Sequence, residues 1–219
     1  MLNIICDIIN MVYIMNKSDL KIIKKIIGLV VAQSLLFLLA KLSPISIHVL
    51  KSTFDSKIPF IPQFIYFYVS WYAMLFLIPF LLYKKNFECF EKYIWSSSIS
   101  IVISFFIYFF YPTSIVRGTI TLNNITGLIT QFIYAIDTPI LNCFPSMHCL
   151  LSFFFIFYII NLKNTSFFIK MFVAVWSLLI VASTLFVKQH ILADVISAFV
   201  FAVLIFVVVE ILYKKKNKK

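Results

Sequence analysis

The sequence predicts an all-α polytopic membrane protein, a bundle of six transmembrane helices. Three observations predict it. The 219 residues are 63% apolar and only 12% charged, far from the roughly half-apolar composition of soluble domains. The mean hydropathy is +1.03. The apolar residues also come in continuous runs of about 20, the length that crosses ~30 Å of hydrocarbon, whereas the strands of a membrane barrel would alternate apolar and polar residues.

Taken in order, residues 1–25 form an N-terminal cytoplasmic or interfacial segment. Ile4, Ile5, Ile8, Ile9 and Val12 share one helical face there, the pattern of a helix lying in the membrane interface. Asp7 and the missing basic start argue against a cleavable signal. Six spans follow at 26–43, 62–83, 93–111, 144–161, 167–187 and 190–212. Gln33 and Ser34 interrupt the first, and Pro79 is expected to kink the second. The fifth and sixth nearly touch, joined by Val187 to Gln189. With no internal repeat or low-complexity linker, 26–212 reads as one six-helix membrane domain, followed by a basic cytoplasmic tail at 213–219.

The net charge is +11, and its placement sets an orientation. Lys17, Lys21, Lys24 and Lys25 precede the first span; Lys84, Lys85 and Lys92 separate the second from the third; Lys163 and Lys170 flank the fourth-to-fifth connection; and five lysines lie in 214–219. Six crossings put all of these on one side. Positive residues favour the cytoplasm, so both termini are expected inside, in a multi-pass protein of the cell (plasma) membrane. The opposite face carries Lys41, Lys51, Lys57, Arg117 and Lys188. The basic tail reads as a topology signal or a contact with anionic lipid, not as a nucleic-acid site. The spacing of Cys6, Cys89, Cys143 and Cys149 matches no disulfide framework or metal motif.

Two connections on the outer side exceed a tight turn, at 44–61 and 112–143. In the second, Ile125, Leu128, Ile129, Phe132, Ile133 and Ile136 recur at helical spacing after the possible caps Asn123 and Asn124. That helix either packs on the bundle or roofs a site at the interface. His48 reads as an exposed loop residue without a partner, the three tryptophans as interface belt and packing, and Glu210 as interfacial.

Ionisable groups at a membrane edge need a reason. His190 and Asp194 are spaced i, i+4, which puts both on one face of a helix start. A carboxylate there fixes the imidazole tautomer and leaves the other nitrogen as nucleophile or base. The alternative is a pair that only staples helices. His148 begins the fourth span on the same side, so the two histidines can face each other. Pro145 suits a first helical turn, and Ser146 can cap it or bind an anion. Arg117 is the one arginine against eighteen lysines, which hints at bidentate phosphate binding; the alternative is interfacial anchoring. Lys188 adds a positive charge near His190, or simply snorkels.

Pro145-Ser146-Met147-His148 and the stretch from Ser183 to Asp194 resemble the type-2 phosphatidic acid phosphatase superfamily. Its pattern has three blocks, K-x6-R-P, P-S-G-H and S-R-x5-H-x3-D, and the resemblance covers about residues 93–212. Four positions depart from it: Phe110 stands at the first-block lysine, Gly118 at its proline, Met147 at the second-block glycine and Thr184 at the third-block arginine. Ser183-Thr184, Lys188-Gln189-His190 and Asp194, with Asp137 and Asn142-Cys143 upstream, are similar to the divergent branch that includes inositol phosphorylceramide synthase-like proteins.

The resemblance implies a lipid phosphatase working through a phosphohistidine. In that scheme His190 attacks phosphorus, Asp194 orients it, and His148 protonates the leaving alcohol and then activates the acceptor. Arg117, Lys188, Ser146 and Ser183 bind the phosphoryl oxygens, with no metal and no cofactor. Water as acceptor makes a phosphatase; a lipid hydroxyl makes a head-group phosphotransferase. A transporter using His, Asp and Lys as a proton path, and a non-catalytic membrane scaffold, remain as readings of another class. The expected partners are a lipid phosphate and membrane lipids, and no oligomeric state follows from the sequence.

Overall fold

Backbone groups in hydrocarbon must be satisfied within their own segment, and this chain meets that demand with helices. The computed structural model describes residues 17–118, 123–163 and 165–217. The expected interfacial helix in the first fifteen residues and the last two lysines of the tail lie outside the described residues. In chain order the elements are α1 (Lys17–Ala40), β1 (His48–Leu50), α2 (Thr53–Lys57), a 3₁₀ turn (Pro62–Phe64), α3 (Ile65–Lys85), α4 (Phe87–Phe110), β2 (Thr113–Ile115), α5 (Ile125–Ile136), α6 (Met147–Ile160), α7 (Phe167–Phe186) and α8 (Leu192–Lys216).

Five of the six expected spans are helices long and apolar enough to cross a membrane: α1, α3, α4, α7 and α8. The sixth is shorter than 144–161 predicted. Helix α6 has 14 residues, about 21 Å at a rise of ~1.5 Å per residue. Its start is held back to Met147 by Pro145 and by Ser146, whose hydroxyl caps the helix by accepting from Cys149 N. Ten of its residues are buried, so α6 is the central post, packed against α4, α7 and α8. Helix α1 starts at Lys17 rather than 26, because lysines 21, 24 and 25 are good helix formers and stay exposed. Helix α3 runs on through Pro79.

Small residues bring α4 close to its neighbours. Ser96, Ser97, Ser100 and Ser104 on α4 are all buried, as are Ala198 and Ala202 of α8, the composition that lets membrane helices approach. Ser96 Oγ shares a hydrogen bond of 2.7 Å with Tyr158 OH. One end of the bundle is tied by ion pairs: Lys84 to Asp19 at 2.7 Å, and Lys92 to both Glu210 at 3.0 Å and Glu88 at 2.8 Å. Glu210 is thus a bridging residue.

The opposite end carries the long connections, whose described residues include two strands and the helices α2 and α5. Strands β1 and β2 pair in parallel, with His48 opposite Thr113 and Leu50 opposite Ile115. His48 has a partner after all, its ring stacked on Tyr111 at 4.2 Å. Asn124 caps α5 through Gly127 N. That helix buries Gly127, Thr130 and Ile133 and leaves Ile125, Leu128, Phe132 and Ile136 exposed, an apolar outer stripe suited to the membrane interface.

Candidate active site

The site is built where the starts of α6 and α8 meet. Ser146 N donates to Asp194 O across that junction at 3.4 Å. His190 lies in the turn before α8, not in the helix, because α7 ends at Phe186 and Lys188 takes a left-handed φ of 53°. That turn is fastened on two sides. Gln189 N and His190 N both donate to Thr184 O, at 2.9 and 3.0 Å. Asp55 of α2 caps the other side, its Oδ1 accepting from Leu192 N at 2.8 Å.

Asp194 is fully buried as the third residue of α8. Its Oδ2 accepts from Ile191 N at 3.1 Å and lies 3.1 Å from His190 Nδ1. One oxygen therefore closes the helix start and anchors the imidazole at Nδ1, which leaves Nε2 of His190 outside that contact. The His148 ring centroid is 6.3 Å from that of His190. Three aromatic side chains of α3 cage His148: Tyr68 stacks on it at 4.4 Å, Trp71 lies at 4.0 Å and Tyr72 meets it edge-on at 6.0 Å. Its Nε2 is buried with no hydrogen-bond partner among the described residues. Trp71, which the composition suggested was belt or packing, is a wall of the site.

Two cavities meet at His190. An inner one of about 340 Å³, mostly apolar, holds His148, His190, Gln189, Asp137, Lys41 and Met147 and runs down between α1, α3 and α4 past Leu75 and Ile101. An outer one of about 520 Å³ is lined by Arg117, Lys188, Lys51, Ser52, Ser56 and His190.

Arg117 and Lys188 therefore stand by His190 but not in the cavity that holds both histidines, and most of their donors are engaged. Arg117 Nη1 donates to Gln189 Oε1 at 2.7 Å and to Asp137 Oδ2 at 3.2 Å, Nη2 donates to Tyr134 O at 3.1 Å, and the guanidinium lies 4.0 Å over the Tyr134 ring. Lys188 Nζ donates to the carbonyls of Asp55 and Ile58, and so fixes the loop carrying α2. Ser146 and Ser183 are fully buried and line neither cavity. Ser146 caps α6, and Ser183 donates to Ile180 O at 2.6 Å within its own helix. Both hydroxyls thus serve backbone, a local bond that serine makes readily near helix ends.

Asp137, Gln189, Lys41, Tyr68, Trp71 and Tyr72 complete the site, and no local pattern singles them out. Asp137 and Gln189 stand in the quoted motifs, but only the fold shows them holding Arg117. Burial pushes the Asp137 carboxyl above the usual range, against the pull of Arg117 and Lys41. Among the described residues, no three His, Cys, Asp or Glu side chains cluster as a metal site.

A sequence model described as the PAP2 superfamily matches residues 46–208. No curated protein and no solved structure matches the chain.

Proposed function

The chain belongs to the PAP2 superfamily, whose members are generally phosphatases or related phosphotransferases, and from that premise we propose that it hydrolyses a phosphomonoester or diphosphate of a lipid through a phosphohistidine. The observation that carries the reading is that His190, held by Asp194, shares one cavity with His148, their ring centroids 6.3 Å apart. His190 Nε2 attacks phosphorus, and the bond from phosphorus to the leaving oxygen breaks as His148 gives that oxygen a proton. His148 then takes a proton from water, whose oxygen attacks the phosphohistidine and breaks the P–N bond, freeing phosphate and the histidine. Asp194 stabilises the positive charge that builds on His190. The cage keeps bulk water off the His148 ring and leaves its Nε2 without a protein partner among the described residues, free to meet a substrate oxygen.

The size of the inner cavity favours a second reading. About 340 Å³ has room for an acceptor alcohol beside the phosphoryl group, where a water takes only about 30 Å³. With a lipid hydroxyl as acceptor the same residues form a head-group phosphotransferase. We assign the histidine end to the extracytoplasmic face of the plasma membrane and both termini to the cytoplasm. The clustering of lysines at the opposite end supports this.

The test is a panel of lipid phosphates and mixed lipids given to purified protein, with free phosphate and transferred product measured together. Phosphate release supports hydrolysis, and a new phospholipid supports transfer. Absence of both in the wild type removes the proposal.

A further inference from the structure

We propose that Lys41 binds the phosphoryl group in the two-histidine cavity, and so supplies from α1 a cation that the family pattern places elsewhere. The inference rests on the phosphoryl-transfer reading of that cavity. A phosphoryl group held between His148 and His190 needs positive charge at its non-bridging oxygens. The two cation positions that depart from the pattern cannot supply it. Phe110 is 62% exposed at the end of α4. Thr184 is wholly buried, its Oγ1 donating to Val181 O and lying 3.5 Å from Cys149 Sγ. Arg117 and Lys188 line the outer cavity and are held by carbonyls, Asp137 and Gln189.

Among the described residues, Lys41 is the one lysine or arginine lining the inner cavity. It follows directly on α1, outside the residues 46–208 that match the family. Its ammonium is largely enclosed, with 13% of the side chain exposed. Of three donors, one goes to Pro139 O at 3.1 Å. The nearest carboxylate oxygen, Asp137 Oδ1, is 3.7 Å away, an ion pair too long for a hydrogen bond. Lys41 therefore keeps donors for a ligand, and Asp137 balances its charge while the cavity is empty. A lysine serves here as a point charge, with less demand on geometry than a guanidinium. The ligand class is a phosphate monoester or diphosphate whose apolar part continues down the cavity between α1, α3 and α4.

The experiment uses the purified full chain. Lys41→Gln should lower kcat/KM on a lipid phosphate by about tenfold or more and weaken competitive inhibition by inorganic phosphate about as much, the worth of one charge-assisted contact. Lys41→Arg should recover most of both, and Lys57→Gln, at an exposed lysine, should change neither. A lysine that only ties α1 to Pro139 would leave phosphate inhibition unmoved. Unchanged kcat/KM and unchanged phosphate inhibition in Lys41→Gln overturn the proposal. If that variant does not fold, differential methylation of wild-type lysines decides. Inorganic phosphate should slow labelling of Lys41 and not of Lys57, and equal labelling rates overturn the proposal. If the wild type turns over no lipid phosphate, the functional reading falls, and the labelling result still decides whether Lys41 binds phosphate.

Discussion

The Asp194→Asn variant isolates the charge that the proposed mechanism needs. Asp194 is fully buried, and its Oδ2 meets both His190 Nδ1 and Ile191 N at 3.1 Å. An amide oxygen at this position can still accept from Ile191 N, so the start of α8 should survive. What is lost is the negative charge beside a histidine that becomes cationic as it attacks phosphorus. A charge-assisted hydrogen bond contributes about 1.5–3 kcal/mol, and two unit charges ~4 Å apart interact by about 4 kcal/mol at an effective dielectric constant near 20. The loss should then be about 2–4 kcal/mol, which is about 30- to 1000-fold in kcat. The assay is phosphate release or lipid transfer in mixed micelles, with KM and the thermal midpoint recorded beside it. KM should move little, because the charge acts in the transition state. A kcat within threefold of wild type in a folded variant would show that Asp194 only staples α8, and the nucleophile assignment would go with it.

Three further outcomes are expected. His148→Gln should lower turnover of alkyl phosphoesters by ~100-fold or more, and far less for an aryl phosphate whose leaving group needs no proton; an equal loss for both would deny His148 the acid role. Arg117→Lys should lower kcat/KM by about 10- to 100-fold and reduce the thermal midpoint, because an ammonium cannot serve Asp137, Gln189 and the Tyr134 carbonyl from one planar group; unchanged kinetics and melting would return Arg117 to a surface anchor. Tyr158→Phe should cost about 1 kcal/mol by removing the buried bond to Ser96 and leave turnover unaltered; a loss of activity without a loss of stability would tie this helix contact to the site.

The helices and the histidine pair were legible because each rests on a local signal. Apolar length marks a span, Asn124 and Ser146 mark helix starts, and an i, i+4 spacing puts Asp194 within reach of His190. The signal for α6 was misleading in length, since an apolar run also continues through Phe144 and Pro145, where the cap at Ser146 ends the helix. The pairing of β1 with β2 escaped because three-residue strands leave no alternation to read. Trp71 and Tyr68 escaped for another reason. An aromatic on a span reads the same whether it faces lipid or a histidine, and only the packing of α3 on α6 decides. Lys41 was one lysine among eighteen, distinguished only by the cavity it lines. Ser146 and Ser183 looked like phosphate ligands because the motif carries serines there, yet both hydroxyls bond to nearby backbone.

The departures from the family pattern share one physical logic. The residues proposed for bond making and proton transfer, His190, Asp194 and His148, stand at the pattern's own positions, His148 and Asp194 in the first turns of α6 and α8 and His190 in the turn before α8. The cation positions do not follow it. Thr184 lies wholly buried where α7 packs against Cys149 of α6, and its hydroxyl serves its own helix. Met147 fills the second-block glycine position and lines the inner cavity beside His148, so a side chain narrows the space where the pattern leaves only backbone. Positive charge instead reaches the region at positions the pattern does not give to a cation: Lys41 after α1, and Lys188 in a turn braced by α2. Arg117 keeps its place in the pattern but is held by Asp137 and Gln189. A chain arranged this way can retain the family's phosphoryl chemistry while recognising a different substrate, because chemistry and recognition are carried by different elements. Substrate preference should therefore follow the end of α1 at Lys41, and the phosphohistidine step should follow the start of α6 and the turn into α8.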